Sequence, residues 1–230
     1  MQGWPTIRMR LRPAWWVVRV DACLLCDAPA GHIPNLCGAC AAALVRLPPH
    51  QPFVAFPYTP PISTLVQWMK FDACLPAALT LGSLLAEAVV EGRLLIPDAL
   101  LPVPLHARRL RSRGFNQAFE VARPLARWLD RPLLSSACIR VRATRPQSSL
   151  QTARERRDNV AGVFRVRRCL DGLDTVAIID DVLTTGATVL ELARVLRGAG
   201  VRRVLVWACA GPAGAAIKRR DSPPTGRCSR

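Results

Sequence analysis

The chain has 230 residues, half of them apolar, which excludes a disordered polymer and suffices for one well-packed domain with a small appendage. It carries 32 basic against 16 acidic residues, a formal charge of +16. Such an excess suits a polyanionic partner, and an arginine-rich solvated surface gives the same number. No stretch stays apolar over the roughly 20 residues of a bilayer span, and the apolar run Ala14–Val18 is shorter than the ~7 residues of a secretory core. The expectation is a cytoplasmic protein without a membrane span. In a reducing compartment its nine cysteines are metal ligands, catalytic groups or packed thiols, not disulfides.

In chain order, residues 1–22 are a basic segment with Trp4, Trp15 and Trp16, expected as a short helix on the body. Residues 23–47 hold two C-x-x-C pairs, Cys23/Cys26 and Cys37/Cys40, ten residues apart. A single pair is compatible with redox chemistry. Two close pairs joined by a turn-rich linker with Pro29, Gly31 and Pro34 point to a tetrahedral structural zinc site. His32 lies between the pairs and is the one alternative ligand. Four thiolates leave no open position, so this zinc is not catalytic. Cys138 and Cys209 sit in apolar runs and read as core thiols.

Residues 52–210 alternate strand and helix signals. Ala78, Leu81, Leu85 and Val89 fall at helical spacing. Leu100–Leu105 is a short apolar strand that Pro102 and Pro104 turn into a loop. Phe119, Ala122, Ala126 and Leu129 mark a further helix face, with Pro124 either kinking it or lying in its first turn. Val176–Ile179 reads as a strand buried on both faces and ending at two carboxylates. Val189, Leu192, Ala193 and Leu196 make the next helix, stopped by Gly198 and Gly200, and Val204–Ala208 the next strand. This strand–helix–strand unit predicts a parallel sheet, hence an α/β fold with a small N-terminal four-cysteine knuckle. Residues 211–230, with Lys218, Arg219, Arg220 and Arg227, read as a disordered basic tail.

The chemistry is concentrated in Val176–Thr188. Ligands of parallel sheets bind beyond the carboxyl ends of the strands. There a helix N-terminus offers unpaired N–H groups and the positive end of a dipole, which suits phosphate. Gly186 permits close backbone approach, and Thr184, Thr185 and Thr188 add hydroxyl donors. Asp180 and Asp181 would repel phosphate but accept hydrogen bonds from vicinal sugar hydroxyls. The string therefore asks for a sugar phosphate. A plain turn capped by Thr184 or Thr185 leaves the adjacent carboxylates without a reason.

Four apolar residues, two acidic ones and Thr-Thr-Gly-x-Thr resemble the phosphoribosyl pyrophosphate (PRPP) motif of type I phosphoribosyltransferases. The resemblance implies that Asp180 and Asp181 hold the ribose hydroxyls as the catalytic pair, and that Thr184, Thr185, Gly186, Ala187 and Thr188 hold the 5′-phosphate. The basic segment Val103–Gln117 falls where such enzymes carry a pyrophosphate loop. Its Arg109, Arg111 and Arg113 suit a diphosphate, because guanidinium forks pair with phosphate oxygens. Arg142–Val160, polar and basic, falls where the flexible active-site loop lies.

An N-terminal knuckle ahead of this domain, with Arg113-Gly114-Phe115-Asn116-Gln117 and the spaced Thr144, Gln147, Leu150, Arg154, Asn159 and Phe164, resembles the ComF family. The likeness covers about residues 21–210, although many relatives carry further C-x-x-C pairs that are missing here. It implies natural competence and DNA uptake, with PRPP, single-stranded DNA and competence machinery proteins as partners. Trp15, Trp16, Trp68, Phe115 and Trp128 are candidates for base stacking or for the core. The competing implication is an active transferase in nucleotide or salvage metabolism, using Mg²⁺ with PRPP and an acceptor that no segment identifies. Oligomeric state is not legible.

Overall fold

A computed structural model describes residues 21–144 and 152–212. Four strands, β1 (Phe53–Pro57), β2 (Ala99–Pro102), β5 (Thr175–Val182) and β6 (Arg203–Gly211), form one sheet in the order β1-β6-β5-β2. All three pairings are parallel, with Val176 opposite Val204 and Ile179 opposite Trp207. The crossover from β5 to β6 is α7 (Ala187–Gly198), whose buried residues Val189, Leu192, Ala193 and Leu196 are those of the apolar stripe. The predicted parallel α/β sheet is therefore observed.

Helices cover both faces, as an all-parallel sheet requires. Strand alternation decides which residue meets which layer. On β5, Ala177 and Ile179 join one core with α2 (Ile62–Phe71), α3 (Leu75–Glu91) and α5 (Gln117–Leu129). Val176 and Ile178 join a second core with α7 and the small antiparallel pair β3 (Cys138–Arg140) and β4 (Phe164–Val166). Cys138 and Cys209 are both buried, as expected of core thiols. The four-cysteine segment is no loose appendage, since Ile33 and Leu36 are fully buried in the first core.

Several elements differ from the expectation. The buried stripe of α5 is Ala118, Val121, Ala122, Leu125 and Ala126, so Phe119 and Leu129 lie at its margin. Pro124 lies well inside this helix, not in its first turn. Its ring and the Val121 carbonyl press against Gly82 of α3. A Cβ built on Gly82 would lie 2.2 Å from Val121 O and 2.4 Å from Pro124 Cγ. No L side chain fits there, and we expect Gly82→Ala to cost about 3 kcal/mol by overpacking. Urea unfolding of the variant checks this.

Strand β5 runs on through Asp180 and Asp181 to Val182, so the carboxylates belong to the strand rather than ending it. The arginine-rich segment after β2 is not a loop but a helix, α4 (Ala107–Arg113), which the His106 side chain caps by accepting from the Arg108 N–H. In the polar segment after Arg142, residues 145–151 lie outside the described residues. Its final part is helical, as α6 (Ala153–Val160), opened by a capping box in which Thr152 and Glu155 bond reciprocally. Residues 1–20 of the predicted N-terminal helix, with Trp15 and Trp16, and residues 213–230 of the basic tail also lie outside the described residues, while Gly211, read as the start of that tail, is the last residue of β6.

Candidate functional site

Because side chains alternate along β5, its two adjacent carboxylates point to opposite layers. Asp181 shares the side of Ala177 and Ile179 and meets α2, where Lys70 Nζ lies 2.7 Å from its Oδ2. Burial alone would raise Asp181, yet the Lys70 ammonium holds it below the usual carboxylate range. Burial likewise works against the charge on Lys70, and the Asp181 carboxylate raises it above its ordinary value. The two directions agree on a charged pair of a buried carboxylate and a half-buried ammonium. Asp180 takes the side of Val176 and Ile178. Burial, and then the neighbouring Asp181 charge, push its carboxyl well above the ordinary value. The Asp181 N–H donates to Asp180 Oδ1 at 3.0 Å, and the Val182 N–H to Asp181 Oδ1 at 2.9 Å. These bonds fix both carboxyl groups at the carboxyl end of the sheet.

The chain then turns through Thr184 and Thr185 into α7. Gly186 takes φ 73 and ψ 0, a left-handed conformation that glycine enters without cost, and no side chain caps the helix. The first turn of α7 thus faces the cleft with its backbone donors. Thr185 Oγ1 is buried there without a hydrogen-bond partner. A buried orphan hydroxyl is costly unless something else satisfies it.

Asp180, Asp181 and the whole of Thr184–Thr188 line one cleft of about 1010 Å³. Opposite them stand Arg109, Ser112 and Arg113 of α4, spaced so that a helix puts them on one face. Arg111 does not line the cleft, because it lies two residues from Arg109 and Arg113 on that helix. The string after α4 has an architectural purpose. Gly114, at φ 77, ends α4 in a left-handed turn. Asn116 caps α5 by accepting from the Ala118 N–H and donates to the Val103 carbonyl, both at 3.1 Å. Arg113 donates to Gln117 Oε1 at 3.2 Å.

The structure adds residues that were not singled out as ligands. Arg140, from β3, reaches the cleft with its Nε buried and unpartnered. Burial, and then the charge of Arg109, lower its guanidinium to about 10. Burial, and then Arg113, lower Arg109. Cations that depress one another in this way suit a multiply charged anion. Arg156 lines the same cleft. Lys70, Tyr58 and Phe71 were missed altogether. The one sequence signal for Lys70 is its rarity, since the chain has only two lysines among 32 basic residues.

The sulfur atoms of Cys23, Cys26, Cys37 and Cys40 lie within 4.8 Å of one another, and the cluster could hold a metal ion. Cys26 Sγ is 3.5 Å from Cys37 Sγ and 3.6 Å from Cys40 Sγ. Four sulfurs around zinc at ~2.3 Å would stand about 3.8 Å apart, so the spacing is compatible with structural zinc. The Cys40 N–H donates to Cys37 Sγ at 3.4 Å, and this bond leads the causes that lower the Cys37 thiol to about 7. His32 is not in the cluster and instead meets Glu87 of α3 at 2.7 Å. Arg46 pairs with the same carboxylate. Thr80 Oγ1 donates to the Pro34 carbonyl at 2.7 Å. These contacts seat the cluster on α3.

Of the aromatic candidates, Trp68 and Phe115 pack against the core, while Trp128 is exposed. Among the described residues, no helix is long and apolar enough to cross a membrane.

No family model matches the chain. Over 194 residues it is 42% identical to the DNA utilization protein YhgH of Salmonella typhi, covering 82% of this chain and 83% of that protein. The protein of the same name from Escherichia coli strain K12 is 40% identical over 190 residues, covering 80% and 82%. Competence protein F of Haemophilus influenzae is 38% identical over 159 residues, covering 66% of this chain and 69% of its own.

Proposed function

The chain belongs to the ComF family, with competence protein F and the DNA utilization protein YhgH among its relatives, and on that premise we propose that it binds PRPP and acts in DNA uptake. One observation carries the PRPP reading. The dyad of half-buried Asp180 and buried Asp181 and the uncapped turn Thr184–Thr188 share a cleft with Arg109, Arg113 and Arg140. In this reading the carboxylates accept from the ribose hydroxyls, and the α7 N-terminus and Thr185 donate to the 5′-phosphate. The arginines face the diphosphate. Mg²⁺ accompanies the diphosphate and neutralises part of its charge. Asp180 and Asp181 are the carboxylates lining the cleft that could face it.

The four thiolates hold a structural zinc. Residues 23–47 are the zinc knuckle, residues 52–210 the phosphoribosyltransferase-like body, and residues 1–22 and 211–230 basic extensions. The +16 charge supports single-stranded DNA as a cytoplasmic partner beside other competence proteins, through phosphate contacts.

A second reading is transfer of the phosphoribosyl group, favoured by the arginines that would receive a departing diphosphate. The C1–O bond would break with its electron pair going to the diphosphate. A lone pair of the acceptor would form the new bond to C1, and the acceptor's proton would pass to solvent. Calorimetry with PRPP and Mg²⁺ tests the shared premise. Saturable binding at one site per chain is expected, and no binding heat would remove both readings.

A further inference from the structure

The positive charge of the chain is not spread evenly. Residues 138–168, the arm made of β3, α6 and β4, hold nine arginines against two acids, Glu155 and Asp158. Helix α4 adds four arginines and no acid, and it adjoins the arm where His106 bridges to Arg140. The rest of residues 21–212 holds 10 basic against 13 acidic residues. Residues 21–45, with the four cysteines, hold no lysine or arginine. A solvated arginine-rich surface would show no such contrast, so the excess is a property of one side of the molecule. The knuckle offers phosphate no cation.

The ribbon β3–β4 has two faces. Residues directly opposite one another in an antiparallel pair share a face. Arg140 lies opposite Phe164, and Ile139 opposite Arg165. The first pair turns to the cleft, which Arg140 lines with its guanidinium 5.6 Å from the centre of the Phe164 ring. The second pair therefore takes the outer face, where Arg165 is exposed and Ile139 half-buried. Val141 continues that face and is 39% exposed. Arg167 and Arg168 follow β4 and are exposed as well, with the Arg167 N–H bonded to the Ala137 carbonyl at 2.8 Å. Among the described residues, Arg165, Arg167 and Arg168 have no carboxylate at ion-pair distance, whereas Arg46, Arg123, Arg194 and Arg202 each have one. Uncompensated cations on one surface repel one another, and bound phosphates relieve that repulsion.

From this layout we infer that the outer face of the β3–β4 ribbon, with Arg165, Arg167 and Arg168, is the surface on which a single strand of DNA lies. The inference rests on the DNA reading above and gives it a place apart from both the PRPP cleft and the knuckle. The arginines face phosphates. Ile139 and Val141 beside them offer apolar contact to unpaired bases, which a duplex keeps stacked inside.

The anisotropy of a labelled twelve-residue oligothymidylate, and of a duplex of the same length, is measured on the full chain, on Arg165→Glu/Arg167→Glu and on Arg93→Glu/Arg203→Glu. The last pair makes the same charge change at exposed arginines outside the ribbon. Thermal midpoints verify that the variants fold. The parent is expected to bind the single strand more tightly than the duplex. The ribbon variant is expected to lose about tenfold or more of that affinity, and its slope of log K against log salt to flatten by about 1.4, for two phosphate contacts at ~0.7 each. The control pair is expected to change the affinity less than about threefold. Should charge reversal unfold the ribbon, Arg165→Gln/Arg167→Gln is expected to flatten the slope by the same amount. Equal losses in ribbon and control variants would make net charge the cause and overturn the ribbon surface. A duplex bound as tightly through the same arginines would overturn the choice of a single strand. A parent that binds neither removes the DNA reading itself, whatever PRPP does.

Discussion

Asp180→Asn is expected to weaken PRPP binding by about ten- to a hundredfold while leaving the chain at least as stable as the parent. The size follows from losing a hydrogen bond to a charged group, worth about 1.5–3 kcal/mol. The stability follows from the environment of Asp180. Burial and the Asp181 charge raise its folded pKa. A carboxyl that ionises later when folded weakens the fold as pH rises from ~3.9 toward the raised value, and the penalty is complete above it. Asparagine has no such titration, so the substitution removes the penalty at neutral pH. Asp181 is the poorer choice for mutation, because its loss leaves the half-buried Lys70 ammonium without its partner.

Inorganic pyrophosphate supplies a control of opposite sign. It has no ribose to lose, so relief of repulsion should leave its affinity on Asp180→Asn unchanged or improved. If PRPP and pyrophosphate respond alike, Asp180 acts only as a repelling charge and the ribose lies elsewhere.

The second large effect concerns the cysteine cluster. The parent, purified under reducing conditions, is expected to carry about one zinc ion per chain, and Cys40→Ser to lose it. Structural zinc contributes on the order of 10 kcal/mol in isolated finger peptides. Here part of that folding energy comes from packing, since Ile33 and Leu36 are fully buried and Pro34 accepts from Thr80. A loss of about 5 kcal/mol remains a reasonable expectation, which for a chain of this size lowers Tm by roughly 10–20 °C. Elemental analysis and a thermal melt of parent, variant and chelated parent read this out. A metal-free parent of unchanged stability would overturn the zinc assignment.

The features that a sequence displays are those written in contiguous residues. The run Val176–Ile179 states a doubly buried strand, Gly186 a turn that the backbone can bring close to a ligand, and the stripe of α7 its packed face. The paired C-x-x-C spacing announces a cluster that the fold closes to within 4.8 Å. What was misread has local causes. Pro102, Pro104 and a run of arginines suggest a loop, yet His106 caps α4, and helical spacing then selects Arg109 and Arg113 over Arg111. On α5 the face that meets Gly82 carries Val121 and Pro124, and the buried stripe runs through Ala118, Val121, Ala122, Leu125 and Ala126. What was invisible comes from distant elements. Lys70 and Phe71 lie on α2, Tyr58 after β1 and Arg140 on the separate β3–β4 pair, where it bridges to His106 at the start of α4, and only the tertiary fold gathers them around β5. No local pattern encodes that gathering, and even the rarity of lysine says nothing of its partner.

The most direct test of the central claim is calorimetric titration of the full chain with PRPP and Mg²⁺, repeated in the presence of single-stranded DNA. Saturable binding at one site per chain, with an affinity that DNA shifts, is the predicted result, since linked sites must alter one another reciprocally. Binding that DNA leaves untouched would separate the cleft from DNA handling and favour the transferase reading. Absence of PRPP binding would contradict the sugar-phosphate reading at its root.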